Sequence, residues 1–217
     1  MRLRDMPKLP LALIAAMFAA GAFMYGRLPA RIPTHWGASG AIDAYSTKSF
    51  GSVFALPLVA IGIYVLLWLI PYFDPKRANL IRSKSAYGIV IDLVSGLLTV
   101  VFFGTLFAAS DTAFPMDKMV SAGVGVMFIV IGRLMGTIER NWTMGVRYPW
   151  TVLDDVVWAK TNRLGGKLFM VAGVLALVGV VLPSGWGIAL MLVPALAMLP
   201  ITYVYSMRLY KQRHPED

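Results

Sequence analysis

Cysteine is absent from this 217-residue chain, and histidine occurs only as His35 and His214. The first absence removes disulfides, thiolate metal sites and cysteine nucleophiles. The second argues against a multi-histidine metal site, and no cofactor is expected. Charge is scarce too. Charged residues make up 14% of the chain and apolar residues 58%, where a soluble domain averages about 25% and about 45–50%. Too few charges remain to coat a water-soluble core, so a lipid bilayer is the expected solvent. A net charge of +9 would suggest nucleic acid in a soluble protein. Here the basic residues fall between apolar runs, where they orient the chain and meet anionic headgroups, and no nucleic-acid partner is expected.

Six continuous apolar runs are present: Leu9–Tyr25, Gly51–Phe73, Tyr87–Ser110, Met119–Ile138, Leu168–Leu182 and Trp186–Tyr205. Each is close to the roughly 20 residues a helix needs to cross hydrocarbon. None shows the alternation of a membrane strand. The expected fold is therefore an all-α integral membrane protein, a bundle of about six transmembrane helices. The first run follows Arg2 and Arg4 and reads as a span, although Ala19-Ala20-Gly21-Ala22 also fits a secretory cleavage site. The fifth is short unless Leu164–Lys167 extends it. Of the 20 Lys and Arg, only Arg27, Arg31, Lys48 and Lys118 fall on one side of this topology. The positive-inside rule puts the other sixteen, and both termini, in the cytoplasm. Pro183-Ser184-Gly185 predicts a tight turn that makes spans five and six antiparallel neighbours.

Two connections are long and rich in Pro, Gly, Trp and charge. The outside one, residues 27–48, carries His35, Trp36, Asp43 and Lys48, with prolines and glycines that shape turns. It reads either as a surface for an external ligand or as an ordered loop anchored by its aromatics. The inside one, residues 133–167, carries Arg140, Asn141, Arg147, Trp150, Trp158 and Arg163. Its basic residues suit lipid phosphate or an acidic partner, and equally simple topology. Arg147 stands out because Gly145 and Tyr148-Pro149-Trp150 fix its setting. Thr151-Val152-Leu153-Asp154 reads as a helix start with Thr151 as cap, in an aspartate version of the capping box. The helix it begins is expected to be short, amphipathic and interfacial, ending at Gly165-Gly166.

Asp92 is the one acid well inside an apolar run. It lies about 7–8 Å from Tyr87 along the helix, which lets it pair with Arg133 on span four, bind a ligand or proton, or reach the headgroups. Gly132 and Gly136 have the spacing that permits close helix approach. No nucleophile, base or metal cluster converges on Asp154 and Asp155, and no triad or metal spacing is present, so catalysis is not expected; His35 with Asp43 is the best candidate pair for a membrane enzyme.

At the two long segments the sequence resembles the SdpI immunity proteins of bacteria. The residues that carry the resemblance are Arg140-Asn141, Gly145-Val146-Arg147, Pro149-Trp150-Thr151, Trp158 and Arg163-Leu164-Gly165-Gly166-Lys167, with Gly132–Gly136 ahead of them. Asn162 departs from the pattern, which has histidine there. Ile32-Pro33-Thr34-His35-Trp36, Gly40, Asp43 and Lys48 resemble a small domain of unknown function that often accompanies the family. On this basis residues 1–73 form an N-terminal two-span unit, 74–118 the third span with its flanking loops, and 119–217 an SdpI-like three-span unit. The resemblance implies a membrane immunity and signalling protein. The family's best-known member protects the producing cell from a secreted peptide toxin and holds a transcriptional repressor at the membrane. A small transporter or lipid-handling protein is the alternative reading.

Overall fold

The computed structural model describes residues 6–110 and 114–215; Arg2 and Arg4 lie outside them. Element order is α1 (Leu9–Tyr25), β1 (Arg31–Trp36), β2 (Ile42–Thr47), α2 (Phe50–Phe73), α3 (Arg77–Arg82), α4 (Lys84–Ser110), α5 (Met116–Met135), α6 (Asp155–Val180) and α7 (Trp186–Arg213). Helices α2, α4, α5, α6 and α7 are long and apolar enough to cross a membrane. Helix α1 is equally apolar but shorter, at 17 residues, the low end of the roughly 17–25 a span requires. It is packed into the bundle, with Met17 fully buried. Many large apolar side chains, such as Leu66, Phe73 and Val193, face outward, as lipid-facing residues do.

The polar segments gather at opposite ends of the bundle. One end holds the β1–β2 hairpin, the end of α4, the start of α5 and the α6–α7 turn; we call it the hairpin end. The other holds α3, residues 136–154 and the end of α7; we call it the loop end.

The hairpin was not expected from sequence. Its strands pair antiparallel, with Ile32 opposite Ser46 and Trp36 opposite Ile42, and the register slips around His35. Pro33 cannot donate to a ladder, which hides β1 from a strand pattern. Ile32 points inward and is buried against the α1–α2–α4 core with Leu28 and Phe54. Gly40 turns the tip at φ 78°, a left-handed conformation that glycine adopts without strain. Ser49 and Ser52 then form a reciprocal capping box that starts α2.

The helices close on one another through their glycines. A Cβ at Gly132 would lie 2.5 Å from the Gly166 carbonyl oxygen, and one at Gly173 would lie 2.5 Å from the Gly125 oxygen. Helices α5 and α6 therefore run antiparallel with backbones in contact over two turns. This corrects two expectations. Gly165-Gly166 does not end a helix; α6 runs unbroken from Asp155 to Val180, so the expected interfacial helix is the first turns of span five. Gly136 has nothing near it, so the approach uses Gly125 and Gly132, not Gly132 and Gly136. The short turn after α6 makes α7 its antiparallel neighbour, as expected.

Proline interrupts α2 at Pro71, which leaves the Leu67 carbonyl without its usual donor four residues on. The buried Tyr87 hydroxyl of α4 donates to that oxygen, satisfying it where water is absent.

Gly166→Ala is expected to lower stability by about 1–3 kcal/mol through overpacking, while Gly62→Ala, where a Cβ meets nothing, is expected to be neutral. Thermal unfolding of both variants in detergent micelles checks this contrast.

Candidate functional site

At the hairpin end, His35 Nδ1 lies 2.6 Å from Asp43 Oδ1, and both side chains are exposed. Lys48 is committed elsewhere. Its ammonium donates to the Leu28 and Tyr25 carbonyls at 2.8 and 3.3 Å, where α1 ends, and so satisfies carbonyls the helix leaves open. Trp36 is half-buried, and among the described residues its indole N–H has no partner. His35 and Trp36 line a cavity of about 270 Å³ between the hairpin and the bundle, with Asp117 in its wall. Asp117, at the start of α5, is buried and accepts the Gly185 N–H at 3.2 Å. A Cβ on Gly40 would meet its carboxylate at 2.6 Å. Asp117 thus packs against the hairpin tip and bonds to the α6–α7 turn. Two of the four residues nominated here, His35 and Trp36, line this cavity; Asp43 is the partner of His35, and Lys48 holds the end of α1.

At the loop end, residues 136–154 form neither helix nor strand, so their backbone groups need other partners. Side chains supply many of them. Asn141, fully buried, accepts from the Thr143 and Met144 N–H groups at 2.7 Å and donates to the Glu139 carbonyl. Asp74 accepts from the Trp142 N–H and the Thr143 hydroxyl. Thr151 accepts from the Tyr148 N–H and donates back to the Val146 or Tyr148 carbonyl. Asn162, on α6, accepts from the Val146 N–H at 2.8 Å. Gly145, at φ 101°, passes so close that a Cβ there would lie 2.4 Å from the Asn162 oxygen.

The aromatics lock this loop to the helices. Trp158 Nε1 donates to the Ile138 carbonyl at 2.8 Å, and Trp150 Nε1 donates to the Ser206 hydroxyl of α7 at 2.8 Å. Tyr148 reaches the Leu199 carbonyl of α7 and stacks on Trp150. Asn141, Trp150 and Trp158 thus have architectural contacts, and the loop they build presents Arg147.

The arginines differ in their partners. Arg140 lies 2.6 Å from the Asp155 carboxylate through Nε, which is not aligned for a hydrogen bond there, and donates Nη1 to the Val152 carbonyl. Arg82 pairs with Glu139 at 2.6 Å. Arg147 is exposed and donates Nη1 to the Trp142 carbonyl; among the described residues it pairs with no carboxylate. Arg163 is exposed on α6.

The cap of α6 is Asp154, not Thr151. Its Oδ1 accepts the Val156 and Val157 N–H groups, and its Oδ2 takes Arg213 Nε at 2.8 Å and His214 Nε2 at 3.1 Å. Burial works to raise this carboxyl. Hydrogen bonds from Arg213, the two backbone N–H groups and His214 outweigh it and hold the group far below the usual carboxylate range.

Asp92 does not pair with Arg133, which is exposed on α5. Among the described residues the buried Asp92 Oδ1 has no hydrogen-bond partner. Asp92 lies where two cavities meet: one of about 380 Å³ beside Met6 and Lys84, the other a groove of about 450 Å³ beside Gly96 and Gly123 of α4 and α5.

Together the fold and its two organised ends define a multi-pass α-helical membrane protein. Residues 137–206 match the SdpI/YfhL protein family, and residues 12–61 match DUF1648, a domain of unknown function. Segment 137–206 spans the loop, α6 and most of α7. The chain is 26% identical over 200 residues to Immunity protein SdpI of Bacillus subtilis (strain 168), covering 92% of this chain and 93% of that protein. No solved structure matches.

Sequence reasoning missed Asp74, Asp117 and Tyr148. Asp74 and Asp117 fall at the ends of apolar runs, where one acid looks like ordinary topology. Their partners lie 68 residues away in each case, and no local pattern encodes them.

Asn162→Ala, which strands the buried Val146 N–H, is expected to cost about 1–3 kcal/mol in thermal unfolding. Asp154 gives a signed pH effect. Its folded carboxyl lies below the unfolded value of about 3.9, so its contribution is complete above that pH and declines as pH falls further. The wild type should lose stability on acidification below about pH 4, with a shallower loss for Asp154→Asn; melts across that range check the difference.

Proposed function

We propose that this chain is a membrane immunity protein that meets a secreted peptide toxin at the hairpin end and engages a cytoplasmic regulator, a transcriptional repressor, at the loop end. The observation that carries the reading is the placement of two side-chain-organised polar elements at opposite ends of one bundle, one with an open cavity and one with an unpaired arginine. Similarity to an immunity protein over nearly its whole length supports it. The distribution of Lys and Arg supports the orientation, with the loop end and both termini in the cytoplasm of the bacterial inner membrane. No catalytic step and no cofactor enter this reading. His35, Trp36 and Asp43 are the proposed ligand-facing residues; Arg140, Arg147 and Arg163 supply the proposed regulator-facing charge.

A bundle with organised surfaces on both sides can couple them if the ligand binds two arrangements with different affinity. Among the described residues one Asp92 oxygen has no hydrogen-bond partner, and its place at the junction of two cavities favours a second reading, a small transporter or lipid-handling protein.

Expression of the chain in a sensitive host should raise survival against the cognate peptide toxin, and His35→Ala with Asp43→Ala should reduce that protection while leaving membrane abundance unchanged. Unchanged sensitivity on expression of the wild type would reject the immunity reading. Solute flux or lipid scrambling in vesicles containing the purified protein would favour the second one.

A further inference from the structure

The loop end carries a feature that toxin protection does not use. Beneath Arg147 lies a cleft of about 410 Å³, within the roughly 300–1,000 Å³ range of small-molecule sites. Its walls are Val90 of α4, Met135 of α5, Phe169 of α6, and Met198 and Leu199 of α7, with Met144 and Arg147 at the loop. Thr143, Arg147 and Tyr148 of the loop are its polar side chains; the rest of the lining is apolar, and three of those residues are methionines, whose unbranched side chains adapt to a guest. Leu199 at its rim is 52% exposed, on the surface that faces lipid.

Charge separates Arg147 from its neighbours. Arg82, Arg140 and Arg213 each lie against a carboxylate. Among the described residues Arg147 is held by the Trp142 carbonyl alone, which aims the guanidinium without neutralising it. Its mounting is rigid. Gly145, Asn162 and Thr151 fix the turn on one side, and Tyr148 and Trp150 fasten it to α7 on the other. A fixed guanidinium at the end of an apolar cleft, where a spanning bundle meets the headgroups, matches an anionic amphiphile. The planar fork takes two phosphate oxygens, and the cleft takes a chain.

We propose that this cleft binds one anionic phospholipid, its phosphate on Arg147 and the start of an acyl chain between α4 and α7. The site does not depend on the immunity reading: loss of lipid preference with toxin resistance intact leaves that reading standing.

The test uses the full chain, purified in detergent and stripped of lipid, titrated with phosphatidylglycerol or phosphatidylcholine of the same chains and read by native mass spectrometry. Wild type should bind the anionic lipid about tenfold more tightly, as one charge-assisted contact allows. Arg147→Ala should abolish the preference and Arg147→Lys should keep part of it, while Arg163→Ala, another exposed cation, leaves it intact. Met198→Trp should fill the cleft and weaken both lipids; Val90→Phe serves the same purpose if Met198→Trp fails to fold. A preference that survives Arg147→Ala would overturn the headgroup assignment. Unchanged binding in the filled-cleft variant, or glycerol phosphate binding as tightly as the diacyl lipid, would overturn the acyl site. Preferential binding of an apolar peptide with a free terminal carboxylate would also overturn the proposal.

Discussion

A chain that leaves helical geometry at the edge of a bilayer must find partners for its backbone N–H and C=O groups, because lipid offers none. Residues 136–154 meet that constraint with buried polar side chains from three parts of the sequence: Asp74 before α3, Asn141 and Thr151 within the loop, and Asn162 on α6. The candidate site depends on this arrangement. Arg147 is presented as it is because the Thr143, Met144, Val146 and Tyr148 N–H groups are each taken by a side chain. The turn through Gly145 has room only because no Cβ stands against Asn162.

The same logic links the loop to the bundle. Helices α5 and α6 touch backbone to backbone at glycines, which fixes the start of α6 relative to the end of α5. Asp154 caps that start and also receives Arg213 and His214 from the end of α7. The start of α6 and the end of α7 are therefore registered at one residue. At the opposite end Asp117 does comparable work for the hairpin tip and the α6–α7 turn. Each end of the bundle is organised around a buried carboxylate that local sequence presents as an ordinary acid.

Asn162 shows how a departure from a family pattern can be accommodated. An amide supplies an acceptor for the Val146 N–H and a donor for the Trp158 carbonyl. Both contacts need one oxygen and one N–H at a fixed spacing, and neither needs a titratable ring. The architectural role is complete without imidazole.

Hydrophobic run length and Lys/Arg spacing by themselves determined that the chain is a bundle of about six helices, which segments lie at which end, and where the informative loops sit. These follow from one-dimensional properties: hydrocarbon thickness sets span length, and charge sets the side. The family resemblance was legible for the same reason, because its motifs are local. Tertiary structure alone decided the rest. It made residues 31–47 a hairpin despite Pro33, since burial of Ile32 and a glycine tip outweighed weak strand propensity. It carried α6 through Gly165-Gly166, since close packing on Gly132 favours small residues where propensity alone predicts a stop. It left Asp92 apart from Arg133 and set Arg147 above a largely apolar cleft, with no carboxylate beside it among the described residues. Such outcomes depend on which residues meet across tens of positions, and a sequence read along its length holds no local signal for them.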